Sequence, residues 1–184
     1  MNSPINVDGY AFSALEPPRR ITVPITDTIQ RLMDISFEQA MIALDEGGTP
    51  VGAALVDMES GQEWFGRSDD TVSGDLQSHA EIKCYRKARP LVRDRLGKCA
   101  LVSTTELCSM CTATFAQGDI STILVAAPRK ALIREDGTPI LRARKIGMFD
   151  LLADSAAHSN AYSGYRADES VALWQQWDNR RRAI

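Results

Sequence analysis

Two short runs hold residue types that can do chemistry together, His79-Ala80-Glu81 and Cys108-Ser109-Met110-Cys111. Imidazole nitrogen and thiolate sulfur are donors that suit zinc, and three protein ligands leave a fourth tetrahedral position for water, the pattern of a catalytic rather than a sealed ion. Cysteines three apart in the first turn of a helix share a face, and the positive end of the helix dipole lowers their pKa toward the thiolate that a metal needs. Zinc brings the pKa of bound water to roughly 7, and a carboxylate beside the ion can carry the protons such hydrolytic chemistry moves. Glu81, two residues past His79, is the candidate for that role and is not expected to ligate. Each half is weak when isolated, because His-x-Glu is frequent and Cys-x-x-Cys also serves as a redox pair, half a zinc knuckle or two packed thiols. Their context joins them: both follow a loop or strand end and open a helix.

The elements that must position these residues follow from periodicity. Ile29, Leu32, Met33, Phe37, Ala40, Met41 and Leu44 keep a helical period from Asp27, with Thr26 or Asp27 as N-cap and Gly47-Gly48 as the stop. Val51 to Met58 and Gln62 to Arg67 predict two strands joined by a tight turn. Ser68 to Ser78 reads as a loop, and Ala80 to Arg89 as a helix stopped near Pro90. Ala100 to Thr105 and Thr122 to Ala127 read as buried strands around a helix at Cys111 to Gln117, an order that implies parallel pairing. Past Pro128 the spacing predicts a long loop to Thr138, then helices over Leu141 to Leu152 and Asp168 to Arg180. Residues 1–24 are expected to form an arm, and residues 25–184 a single domain with a C-terminal helical segment from about residue 140.

Composition bounds this reading without naming a function. The chain of 184 residues is 44% hydrophobic and 24% charged, which excludes collagen-like, disordered and membrane-embedded classes. A net charge of −3 offers no general field for a polyanion, so nucleic acid is not the expected partner. Arg180, Arg181 and Arg182 read as a solvated helix end. No secretory pattern or spanning stretch is visible, and four cysteines without one are expected as thiols or metal ligands in a reducing cytoplasm.

The runs Pro50-Val51-Gly52-Ala53-Ala54-Leu55-Val56, His79-Ala80-Glu81 and Thr104-Thr105-Glu106-Leu107-Cys108-Ser109-Met110-Cys111 together resemble the cytidine deaminase-like superfamily, particularly its branch of cytosine, guanine and tRNA adenosine deaminases. The likeness spans about Asp27 to Asp150 and includes the His-x-Glu and Cys-x-x-Cys signature of zinc deaminases. It implies an α/β fold, a three-layer α/β/α sandwich around a central mixed five-stranded sheet, assembled as a homodimer. It also implies Zn2+ held by His79, Cys108 and Cys111, with Glu81 as proton shuttle. The activity it implies is hydrolytic release of ammonia from a free nucleobase, nucleoside or related small amino-heterocycle. Cys84 and Cys99 match nothing in the pattern and read as packed thiols.

Three departures bear on the substrate. Leu107 stands where the family places proline before its first cysteine, which removes backbone rigidity but no ligand. Ser68 lies eleven residues before His79, where base deaminases of this branch carry a substrate-binding asparagine; it is a candidate contact with shorter reach, or simply a loop residue. Gly147-Met148-Phe149-Asp150 is similar to a Gly-Phe-Asp-Asp element of guanine deaminases, with Leu151 in place of the second acid. Trp174 and Trp177 are candidates to cover a flat ring, although aromatics at helical spacing also serve as core. Two rival functions stand beside the small-molecule deaminase: a tRNA adenosine deaminase, and a non-catalytic zinc scaffold. The acidic charge counts against the first, and Glu81 against the second.

Overall fold

The Thr26 hydroxyl accepts a hydrogen bond from the Ile29 N–H at 3.3 Å and so starts the first helix, α1 (Asp27–Asp45). The computed structural model describes residues 26–142, 144–155 and 159–183, together with a short pairing of Asn6–Val7 with Tyr10–Ala11. The expected arm at 1–24 otherwise lies outside the described residues. After α1 come β1 (Gly52–Asp57) and β2 (Glu63–Arg67), the predicted hairpin, and then α2 (Ala80–Val92). β3 (Cys99–Thr105), α3 (Ser109–Gln117) and β4 (Thr122–Ala127) form the predicted strand, helix, strand unit. α4 (Met148–Asp154), β5 (Asn160–Ser163) and α5 (Ala167–Arg182) follow.

The five strands make one mixed sheet in the order β2-β1-β3-β4-β5. β1 pairs antiparallel with both β2 and β3, whereas β4 is parallel to β3 and to β5. Strand alternation divides the core into two clusters. Ala54, Val56, Ala100, Val102, Leu124 and Ala126 meet Leu32, Met33 and Phe37 of α1 on one face. Ala53, Leu55, Leu101, Ile123 and Val125 meet Ile82, Phe115 and Met148, from α2, α3 and α4, on the other. Helices on both faces give the three-layer α/β/α sandwich, and β1 and β3 are buried along their whole lengths. Gly52 lets α1 lie directly on β1, because a Cβ there would stand 1.9 Å from the Ser36 carbonyl oxygen.

The boundaries differ from the sequence reading in four places. α2 continues past Pro90 to Val92, two residues beyond the proline, and ends where Arg93 adopts φ 41° and donates back to the Arg89 carbonyl. The predicted loop at Ser68 to Ser78 contains a short helix, Asp70–Ser73. The helix expected from Leu141 starts only at Met148, where Asp150 accepts from the Gly147 N–H at 2.8 Å. β5 has no counterpart in the periodicity: it is four residues long and only half-buried.

Candidate active site

The catalytic candidates occupy the first turns of two helices packed on the same face of the sheet. His79 is the extended N-cap residue of α2, with Glu81 in its first turn. Cys108 is the extended N-cap residue of α3, and Cys111 lies one turn on. Gly66 of β2 makes room for the start of α2, because a Cβ would meet the Ala80 carbonyl oxygen at 2.3 Å. Leu107, buried in the core between β3 and α3, anchors the chain just before Cys108.

This packing brings His79 Nδ1 to 3.5 Å from both sulfurs, with the sulfurs 3.5 Å apart. A tetrahedral zinc with Zn–S near 2.3 Å and Zn–N near 2.0 Å sets ligands roughly 3.5–3.8 Å from one another, so the three atoms fit one ion. Proton sharing among them says the same. The thiol of Cys111 and the imidazole of His79 hold Cys108 down to about 4, whereas the hydrogen-bonded contact with Cys108, together with burial, drives Cys111 up. One sulfur keeps its proton when the three share hydrogen bonds alone; a divalent cation can satisfy two thiolates.

Glu81 is 3% exposed and receives hydrogen bonds from the Ser103 hydroxyl at 3.3 Å and the Cys111 thiol at 3.6 Å. Burial pushes its carboxyl above the ordinary range, against the opposing pull of His79. Contact with Cys108 raises the His79 pKa in spite of burial. The other ring nitrogen, Nε2, stands 3.9 Å from Asp70 Oδ2. Asp70 is itself held at Oδ1 by the hydroxyls of Thr49 at 2.8 Å and Ser68 at 3.2 Å. A carboxylate in that position can fix the imidazole's orientation toward a metal.

Of the residues singled out from sequence, His79, Glu81, Cys108 and Cys111 converge. Ser68 is buried, and its hydroxyl is engaged with Asp70 beside His79. The expectation that Trp174 and Trp177 cover a substrate ring is corrected: they are 3% and 7% exposed and lie in a core cluster with Leu44, Ala127, Leu132 and Ile140. Three residues apart, they share the face that α5 turns inward, and the Trp174 indole N–H donates to Thr105 Oγ1 at 2.8 Å. Cys84 and Cys99 are buried, as expected of packed thiols. Asp70 and Ser103 went unnoticed in the sequence; an acid in a polar loop and a serine in a strand carry no spacing signal.

The profile of the cytidine and deoxycytidylate deaminase zinc-binding region matches residues 26–127. The chain belongs to this deaminase family. His79, Cys108 and Cys111 are accordingly a donor set for Zn2+. This family member is 30% identical over 92 residues to a probable cytosine deaminase of Schizosaccharomyces pombe, which covers 50% of the chain and 56% of that protein; the chain thus spans little more than half the relative's length. A guanine deaminase from Nitrosomonas europaea shares the fold, with a TM-score of 0.63 and 21% identity across 95% of this chain and 99% of that one. A guanine deaminase from Bacillus subtilis is 27% identical with a TM-score of 0.50, over 55% of this chain and 65% of that one. Among the described residues no helix is long and apolar enough to cross a membrane.

Proposed function

We propose that this deaminase-family chain hydrolyses the amino group of a free nucleobase, nucleoside or related small amino-heterocycle, with His79, Cys108 and Cys111 holding Zn2+ and Glu81 moving protons. The observation that carries the reading is the convergence of three ligand atoms beside a buried carboxyl whose pKa is raised. The ion, when bound, supplies Lewis acidity that makes water a nucleophile near neutral pH.

Glu81 then has two tasks. Its carboxylate takes a proton from the attacking water and delivers protons to the ring nitrogen and to the departing amine, so that water and the amino compound become the oxo compound and ammonia. A carboxyl raised by burial accepts a proton more readily than an exposed one, which suits a group that takes a proton from water and passes it on. The Ser103 hydroxyl, 3.3 Å from Oε1 and 3.0 Å from the Thr105 carbonyl oxygen, holds the carboxyl in place while this happens. The guanine and probable cytosine deaminases among the relatives support an amino-purine or amino-pyrimidine as the ring. A cytoplasmic homodimer completes the reading.

An ammonia-release screen across amino-purines, amino-pyrimidines and their nucleosides tests it, run beside Glu81→Gln. The expected result is turnover of at least one compound, lost in the variant while zinc stays stoichiometric. Turnover unchanged by Glu81→Gln would overturn the role given to this residue, and a screen with no turnover at all would favour the scaffold.

A further inference from the structure

Glu106 joins the metal-ligand turn to two stretches of chain that are far apart in sequence. It stands one residue past β3 and two before Cys108. Its Oε2 accepts from the Arg129 backbone N–H at 2.8 Å, and its Oε1 accepts from the Met148 backbone N–H at 3.1 Å. Arg129 opens the single turn that follows β4, and Met148 is the first residue of α4. Amides at such positions have no partner inside their own helix, so another group has to supply one. Gly147 shows how closely the carboxylate approaches, because a Cβ there would stand 2.8 Å from Glu106 Oε1.

Neither bond is needed to build the element it touches. The Gly147 N–H already has a local acceptor in Asp150 at 2.8 Å, and the turn after β4 closes on its own bond from the Ala131 N–H to the Pro128 carbonyl at 2.8 Å. What Glu106 adds is a tie from both ends of the 129–148 segment to the chain that carries Cys108. Two amides on one carboxylate make a strong tie, since its charge strengthens both bonds. Farther out, Arg134 of the same segment is held by Asp178 of α5 at 2.7 and 2.9 Å. Arg129 also donates to the Arg142 carbonyl oxygen at 3.3 and 3.0 Å, and Arg144 Nη1 donates to the hydroxyl of Ser109, the neighbour of Cys108, at 3.0 Å. Arg142, Arg144 and Ser109 are exposed, where single hydrogen bonds contribute little, whereas Glu106 is half-buried.

We infer that Glu106 is a positioning residue for the deamination: it clamps both ends of the 129–148 segment to the metal-ligand turn and so sets Arg144 to Gly147 as a wall beside the sulfur ligands. The inference rests on the proposed deaminase activity and adds a residue to it. Glu106 acts through this wall, not on the reacting atoms. A wall displaced by about an ångström loses substrate alignment, while the proton transfers of Glu81 stay available.

The test uses the zinc-loaded protein and the best substrate of the ammonia-release screen. Glu106→Ala removes both acceptors, Glu106→Gln leaves one oxygen for two N–H groups, and Gly147→Ala presses a methyl group against the carboxylate. KM should rise by about tenfold in Glu106→Ala and by less in Glu106→Gln, with Gly147→Ala moving in the same direction. Zinc should stay stoichiometric, and kcat should change much less than KM. Exchange of the Arg129 and Met148 amides, followed by NMR, should quicken together in Glu106→Ala. Should that variant fail to fold, the other two carry the same comparison.

An unchanged KM in a variant whose two amides have been released would overturn the positioning role, as would slow exchange that persists at both. Loss of zinc in step with the rise in KM would overturn it too, making Glu106 a support of the ligand turn. If nothing is deaminated, the activity reading fails by itself, and limited digestion with trypsin decides the clamp. Cleavage after Arg144 and Lys145 that is about fivefold faster or more in Glu106→Gln, well below the unfolding temperature of either protein, supports it. Equal cleavage rates end it.

Discussion

Two buried acids in this molecule are driven in opposite directions. Glu81, 3% exposed at the metal-ligand cluster, is hydrogen-bonded by a hydroxyl and a thiol, and its carboxyl is raised. Asp178, 8% exposed in α5, is clasped by the Arg134 guanidinium through two bonds of 2.7 and 2.9 Å, and its carboxyl is lowered. Depth and partner both differ: Glu81 lies deep among neutral donors, which leave desolvation in control, whereas Asp178 lies near the surface, where a guanidinium in fork geometry overrides a smaller desolvation. The first arrangement leaves a proton free to move. The second fixes a carboxylate as a clasp between the Arg134 turn and the last helix.

The comparison breaks most visibly at Glu81. Glu81→Gln keeps the shape and the Ser103 contact but removes proton transfer, and ammonia release should fall by about 10²–10⁴-fold with zinc content unchanged. A loss of zinc along with activity would show Glu81 to be a ligand instead. On the C-terminal side the largest effect belongs to Trp174. Trp174→Ala empties a core position and leaves the Thr105 hydroxyl with Ser170 as its remaining side-chain partner, and should cost about 3–5 kcal/mol in urea-induced unfolding. A cost under about 1 kcal/mol would return the indole to the role of a movable cover.

Asp70→Asn sharpens the picture at His79. The amide keeps the size but loses the charge beside Nε2, so competition with a chelator should show zinc held about 10–100-fold more weakly in a protein that still folds. Unaltered affinity would mean that the Asp70 contact does not position the ring.

The smallest effect is expected at Asp178. Its folded pKa lies below the unfolded value, so the clasp contributes fully above that unfolded value, near 4, and is lost as pH falls through the lower folded value. Asp178→Asn should therefore flatten the acid limb of the stability profile below about pH 4, and lower Tm at pH 7 by about 2 °C. An acid limb as steep as before would place the responsible carboxylate elsewhere.

The metal-ligand region was legible from sequence because its information is local. His79 and Glu81, like Cys108 and Cys111, sit within one helical turn of each other, and the helices that carry them announce themselves by composition. The central strands were equally plain, since Gly52–Asp57 and Thr122–Ala127 are short apolar runs between turn signals. The C-terminal third read less well. β5 is an edge strand whose four residues are stabilised by pairing with β4 rather than by any run of their own, and the start of α4 is set by carboxylates of Asp150 and Glu106 that no periodicity reveals. Ser68 shows a different limit: its position suggested substrate, but its burial and its bond to Asp70 come from how the 68–78 segment folds over His79.

By itself the sequence determined the donor atoms, their pairing within two helix starts and the alternation that gives the sheet two buried faces, because each is a matter of residues a few positions apart. Only the tertiary structure decided that 29 residues of separation between His79 and Cys108 close to 3.5 Å, that Asp70 faces the imidazole, and that the tryptophans belong to the core. Those outcomes depend on sheet register and helix packing, which act between residues distant in the chain and leave no mark in local spacing.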